Sequence, residues 1–175
     1  MRNTFDRFNG RHQDYQAARP SYAQEFLDWL GELYAPPERY TAADIGSGTG
    51  KLSAQLLAAG FRVCGVEPNP DMRGAAEALL GGDPRFSSSN GTDHDTGLPD
   101  RSVDMVAAAQ AFHWFDGPAF ARECRRILRP GGRAVLVWNV RGSAPMNQAL
   151  AQVFREHCPS FHGFTGGMGE DDPRI

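Results

Sequence analysis

Long apolar runs are missing from this sequence, and so is any surplus of basic residues. No stretch approaches the ~18 consecutive apolar residues of a membrane-spanning helix, so a soluble cytoplasmic protein with no membrane partner is expected. The amino terminus, MRNTFDRFNGRH, has no apolar core and does not read as a secretory signal. Lysine and arginine number 18 against 21 acids, a net charge of −3. That balance withholds the electrostatic footprint on which nucleic-acid binding depends. A local basic run, residues 122–129, sits within a predicted helix and reads as a solvated face. Cysteine is scarce: Cys64, Cys124 and Cys158 are far apart and show no CxxC spacing. Neither a disulfide framework nor a metal site is expected from them.

What is present suits one globular domain. The chain has 175 residues, 41% of them hydrophobic and 22% charged, in the range of a protein that buries a true core. We divide it into an amino-terminal arm and helix (1–38), a core (39–140) and a carboxyl-terminal part (141–175). Pro20-Ser21 is expected to open a helix carrying Tyr22, Phe26, Trp29, Leu30 and Leu33 at helical spacing, stopped by Pro36-Pro37. From Tyr40 the pattern alternates. A strand over 40–45 runs into Gly46, Gly48 and Gly50, and a helix with Leu52, Leu56 and Leu57 on one face follows. Next come a strand over 61–66 and a helix capped by Asn69-Pro70. A short strand near 85–88 leads to a polar loop. Residues 103–109 are an apolar run of the kind buried on both faces. A helix from Asp116-Gly117-Pro118 to Leu128 follows, and Pro130-Gly131-Gly132 turns into a fifth strand over 134–138. Strands alternating with helices imply parallel βαβ units. The fold class is therefore α/β, a three-layer Rossmann-like doubly wound, mostly parallel sheet.

The richest stretch is Asp44-Ile45-Gly46-Ser47-Gly48-Thr49-Gly50. Glycines between a strand and a helix let the backbone turn sharply and touch a ligand. A P-loop fails, because Ile45 stands at its first glycine and Leu52 follows Gly50-Lys51. The dinucleotide fingerprint GxGxxG fails at Lys51. The spacing is GxGxG, with an acid two positions before the first glycine. Glu67 ends the next strand, 17 residues after Gly50, where a carboxylate can accept both hydroxyls of a ribose.

These residues resemble the first two motifs of class I S-adenosylmethionine-dependent methyltransferases. The resemblance implies that Gly46, Ser47, Gly48 and Gly50 pack against the methionine part of S-adenosylmethionine, with Asp44 near its amino group. Glu67 would hold the ribose, and Pro68-Asn69 the adenine edge. It further implies Asp93, in Gly91-Thr92-Asp93-His94, as acceptor from the adenine amino group. The segment Gln110-Ala111-Phe112-His113-Trp114-Phe115 resembles the small-molecule, trans-aconitate-methyltransferase-like branch. Gln110 and Ala111 would border the methionine end, with His113 and Trp114 facing a helix or the acceptor pocket. Tyr15 and Tyr22, in an arm similar to that branch's, would close the site.

His113 keeps two readings: a general base for a hydroxyl or amine acceptor, or a packing histidine beside Trp114. Methyl transfer from an activated sulfonium gains much of its rate from alignment, which needs no base. The Asn/Asp-Pro-Pro-Tyr/Phe element of nucleic-acid amino-methylating enzymes is absent. The expected partner is a small-molecule methyl acceptor, a carboxylate or hydroxyl, and no nucleic acid. The alternative is a catalytically weak cofactor-binding module acting through a partner or assembly. The resemblance covers about residues 12–158, with a helix over 145–157 and no sign of the family's last two strands. A bare fifth-strand edge would then invite self-association.

Overall fold

A computed structural model describes residues 21–139, together with Gln152 and Glu156. The chain divides into two compact units, residues 1–137 and 138–175. In the second unit, helical Gln152 donates from Nε2 to Glu156 Oε1 at 3.1 Å, one turn along. The expectations for Tyr15 and for the rest of the 145–157 helix lie outside the described residues.

In the first unit, five strands form one sheet: β1 (Thr41–Ile45), β2 (Arg62–Val66), β3 (Phe86–Ser89), β4 (Val103–Ala109) and β5 (Leu128–Val137). Their order is β3-β2-β1-β4-β5, and every neighbouring pair is parallel. The helices are α1 (Gln24–Leu33), α2 (Lys51–Ala58), α3 (Pro70–Leu80) and α4 (Gly117–Ile127). Alternation along the central strands builds three layers. Ala42, Met105 and Ala107 join Leu30, Leu52 and Leu56 on one face, under α1 and α2. Ala43, Ile45, Val106 and Ala108 join Phe120, Cys124 and Ile127 on the other, under α4. The connection leaving β1 thus covers one face and the one leaving β4 the other. Such a reversal opens a crevice at the strands' carboxyl ends, where doubly wound sheets bind ligands. Among the described residues, no helix is long and apolar enough to cross a membrane.

Helix starts follow local chemistry. Asn69 Oδ1 accepts from the N–H groups of Asp71 and Met72, both at 3.0 Å, with Pro70 as the first helical residue of α3. Asp116 caps α4 by accepting from Ala119 N–H. Two boundaries differ from expectation. The helix expected at Pro20-Ser21 begins at Gln24, because the backbone at Tyr22 pairs with α2 instead: Tyr22 N–H donates to Gln55 Oε1 and Gln55 Nε2 donates to Tyr22 O, each at 3.0 Å. The fifth strand begins at Leu128, directly after α4, rather than at Ala134. Val103 pairs with Leu128 and Met105 with Arg133, so Pro130-Gly131-Gly132 forms an irregularity inside the strand rather than a turn before it. Gly131 takes φ +85° there.

The loop from 90 to 102 replaces a helix between β3 and β4, and α4 holds it down. Thr96 donates to Glu123 Oε1 from both N and Oγ1, at 2.9 and 2.6 Å. Arg126 holds the same carboxylate from Nε and Nη2 and reaches Asp100 with Nη1. Arg126 first, then Thr96, holds the Glu123 carboxyl down at about 2. Glu123→Ala strands the buried Thr96 donors and removes the main partner of Arg126. A stability loss of about 2–3 kcal/mol is expected, read by urea unfolding; a change under about 0.5 kcal/mol would show that the loop holds itself.

Candidate active site

The carboxyl ends of β1, β2 and β4 enclose a cavity of about 180 Å³. Asp44, Gly46, Ser47 and Gly48 line it from the end of β1 and the glycine turn. Glu67 and Pro68 line it from the end of β2, Asp93 from the β3–β4 loop and Gln110 from the exit of β4. Residues separated by up to 66 positions in sequence thus meet around one space. Gly50 and His113, also expected here, lie outside its lining.

Each glycine of the turn has φ near +56 to +81°, a conformation L side chains avoid, but the three serve different ends. A Cβ on Gly46 would stand 2.8 Å from Ala111 Cβ and 3.3 Å from Phe115 Cζ. One on Gly48 would meet nothing within 4 Å, in keeping with its place on the cavity wall. One on Gly50 would stand 2.9 Å from Leu80 Cδ1 and 3.1 Å from Ala76 Cβ. Gly50 therefore lets the start of α2 pack on α3.

Asp44 is 1% exposed. Burial pushes its carboxyl up to about 6; hydrogen bonds from Ser53 pull the other way, and the charge of Glu67 adds to the rise. Ser53 Oγ donates to Asp44 Oδ2 at 2.7 Å, a partner the sequence reading missed. The signal was a serine on the inward face of the Leu52–Leu56 stripe. Glu67 Oε2 accepts from Gly48 N–H at 3.0 Å and Oε1 from Asn69 N–H at 2.8 Å. Burial raises this carboxyl too, against the pull of those two bonds. Each oxygen keeps a further lone-pair direction for a ligand hydroxyl. Asn69 itself, expected at an adenine edge, spends its side-chain oxygen on the α3 cap.

Asp93 Oδ2 accepts from Asp116 N–H at 3.0 Å, and Oδ1 lies 3.0 Å from His94 Nδ1. Its carboxylate thereby ties the β3–β4 loop to the start of α4. Gln110 holds φ +55° while its N–H donates to Val137 O at 2.8 Å. A non-glycine residue so placed stores roughly 1–3 kcal/mol, a cost met most often at functional sites. His113 lies in a 3₁₀ turn, Phe112–Trp114, with its ring 4.8 Å from that of Trp114. Trp114 and Phe115, not His113, line the cavity, and Tyr22, Lys51 and Met72 join them. Lys51, the residue that spoils the dinucleotide fingerprint, is thus a wall of the same space. The two carboxylates are hydrogen-bond acceptors, able to meet an ammonium at Asp44 and a diol at Glu67, beside a turn open at Gly48.

Comparison with known proteins agrees with this geometry. The methyltransferase domain profile matches residues 43–136. An uncharacterised methyltransferase of Mycobacterium tuberculosis is 42% identical over 127 residues, 73% of this chain and 49% of the relative. One from Schizosaccharomyces pombe is 31% identical over 147 residues, 83% of this chain and 57% of the relative. A solved structure from Anaeromyxobacter dehalogenans, described as a type II methyltransferase, superposes with a TM-score of 0.64 at 37% identity. It covers 83% of this chain and 57% of its own. The chain spans about half the length of the curated relatives it matches.

Proposed function

This chain belongs to the methyltransferase domain family, whose cofactor is S-adenosylmethionine, and from that premise we propose that it methylates a small molecule bearing a hydroxyl or carboxylate. One observation carries the reading: Asp44, the Gly46–Gly48 backbone and Glu67 line a single cavity at the switch point of the sheet. When bound, the cofactor supplies an electrophilic methyl group on a sulfonium. The protein's part is alignment. Glu67 accepts from the ribose hydroxyls, and Asp93 and Pro68 flank the adenine. Asp44 faces the amino group, whose positive charge offsets the cost of a buried carboxylate. Gln110 and Ala111 border the sulfur, and an acceptor approaching in line needs no more than correct placement.

Incubation with S-adenosylmethionine and a panel of small acids and phenols tests this reading. Release of S-adenosylhomocysteine that depends on one acceptor supports it; binding without turnover on any acceptor would leave only a cofactor module.

The Asp44 environment predicts a pH dependence. In the free chain this carboxyl titrates at about 6, above its ordinary value of 3.8, so the folded state carries an extra proton between those limits. An ammonium partner requires the ionised form. Affinity for S-adenosylhomocysteine is therefore full above about pH 7 and declines as pH falls through about 6. At about pH 5 only about a tenth of Asp44 is ionised, a loss near tenfold. Glu67, also raised by burial, adds in the same direction, and Asp44→Asn separates the two by flattening the Asp44 share. Calorimetry at about pH 5 and about pH 7.5 reads the effect; equal affinities would remove Asp44 from the amino group.

A further inference from the structure

The charges and aromatic rings in the cavity lining bear on which acceptor it can take. Its described lining carries three carboxylates, Asp44, Glu67 and Asp93, and a single cation, Lys51. Lys51 is the first residue of α2, on the glycine-turn side. The β4 exit, which packs against that turn, presents Gln110, Ala111, Trp114 and Phe115, with no arginine or lysine among these four. A carboxylate acceptor in such a lining needs a charge-assisted, preferably bidentate partner. Among the described lining residues only Lys51 could serve, in a lining that holds three carboxylates. An ammonium acceptor faces the opposite obstacle, since it must lose a proton before it can attack, and His113 lies outside the lining.

What the β4 exit does offer is an aromatic face. Trp114 lines the cavity yet remains 47% exposed. Its ring is held by position in the 3₁₀ turn and by His113 at 4.8 Å. Tyr22 lines the same cavity and is fixed at its backbone by Gln55. A large indole left half in water at the wall of a pocket gains by covering its face with another apolar ring.

We propose that Trp114 and Tyr22 form the acceptor subsite, and that it takes a neutral aromatic molecule bearing a hydroxyl, stacked on Trp114. This rests on the cofactor reading above. The reaction balances as an ether synthesis. The hydroxyl oxygen bonds to the methyl carbon, the carbon–sulfur bond breaks with its electron pair on sulfur, and the hydroxyl proton passes to water. The products are an aryl methyl ether and S-adenosylhomocysteine.

β-Naphthol and β-naphthoate share one ring system and differ in charge at about pH 7.5, so their binding isolates the point. Equilibrium dialysis of each against the chain saturated with S-adenosylhomocysteine is the experiment. β-Naphthol is expected to bind at least about tenfold more tightly than β-naphthoate, about 1.4 kcal/mol. Trp114→Ala is expected to weaken β-naphthol at least about tenfold, and Trp114→Phe by less, with S-adenosylhomocysteine affinity held within about twofold. Equal or tighter binding of β-naphthoate overturns the proposal, as does unchanged β-naphthol binding in Trp114→Ala. A matching collapse of S-adenosylhomocysteine affinity in Trp114→Ala also overturns it, by moving the indole to the cofactor. Failure of the unaltered chain to bind S-adenosylhomocysteine fails the cofactor reading itself and takes this proposal with it.

Discussion

Replacing Glu67 with alanine is expected to weaken S-adenosylhomocysteine binding about a hundredfold. Two hydrogen bonds from ribose hydroxyls to an ionised carboxylate are lost, each worth about 1.5 kcal/mol or more, and about 3 kcal/mol is roughly two decades of affinity. A second effect adds to the first. Glu67 accepts from Gly48 and Asn69 N–H, so its carboxylate also fixes the glycine turn and the end of β2 against each other. Glu67→Gln keeps the volume and one acceptor oxygen, and its loss should be the smaller. Calorimetric titration of both variants reads the ranking. An unchanged affinity in Glu67→Ala would place the ribose elsewhere, however well the variant folds.

Gly46→Ala is expected to be strongly destabilising. It combines a left-handed conformation, costing roughly 1–2 kcal/mol in a residue with a Cβ, with a contact at 2.8 Å to Ala111 Cβ. Ala111 is itself buried at the exit of β4, and overpacking there adds about 1–3 kcal/mol. A loss of about 3 kcal/mol in unfolding free energy is expected, together with weaker cofactor binding as Ala111 and Phe115 give way. Gly48→Ala is the control. It has the same handedness at φ +56° with nothing near its Cβ, so only the conformational cost of roughly 1–2 kcal/mol applies. Urea unfolding of the pair separates the two contributions. Equal losses would mean that the close approach of the β1 turn to the β4 exit does not limit stability.

These two sites show what a single sequence can carry. The Asp44-to-Gly50 run and Glu67 are legible because their chemistry is local. A strand must end, the chain must turn with positive φ, and an acid must close the next parallel strand. The same locality explains the caps at Asn69 and Asp116. Tertiary facts are less accessible. Gly50 has the same spacing logic as Gly48, and nothing local says that its missing Cβ faces Leu80 rather than a ligand. Ser53 is an ordinary helix residue until α2 is laid against β1 and its hydroxyl finds Asp44. Thr96 and Glu123 lie 27 positions apart, joined only when the β3–β4 loop folds under α4. His113 and Trp114 are neighbours in a 3₁₀ turn, so which of them faces the cavity is decided by that turn's orientation on β4. The fifth strand was displaced for a similar reason. Pro130-Gly131-Gly132 reads as a stop, yet β4 absorbs it as an irregularity in a continuing ladder.

The central claim is that Asp44, the glycine turn and Glu67 make one site for S-adenosylmethionine rather than for a dinucleotide or a nucleoside triphosphate. Side-by-side calorimetric titration with S-adenosylhomocysteine, NAD and ATP at about pH 7.5 tests it most directly. The site as described predicts micromolar S-adenosylhomocysteine binding, one per chain, with NAD and ATP at least about a hundredfold weaker because Lys51 breaks the dinucleotide fingerprint and Ile45 and Leu52 break the P-loop. Micromolar binding of NAD or ATP without S-adenosylhomocysteine would contradict it.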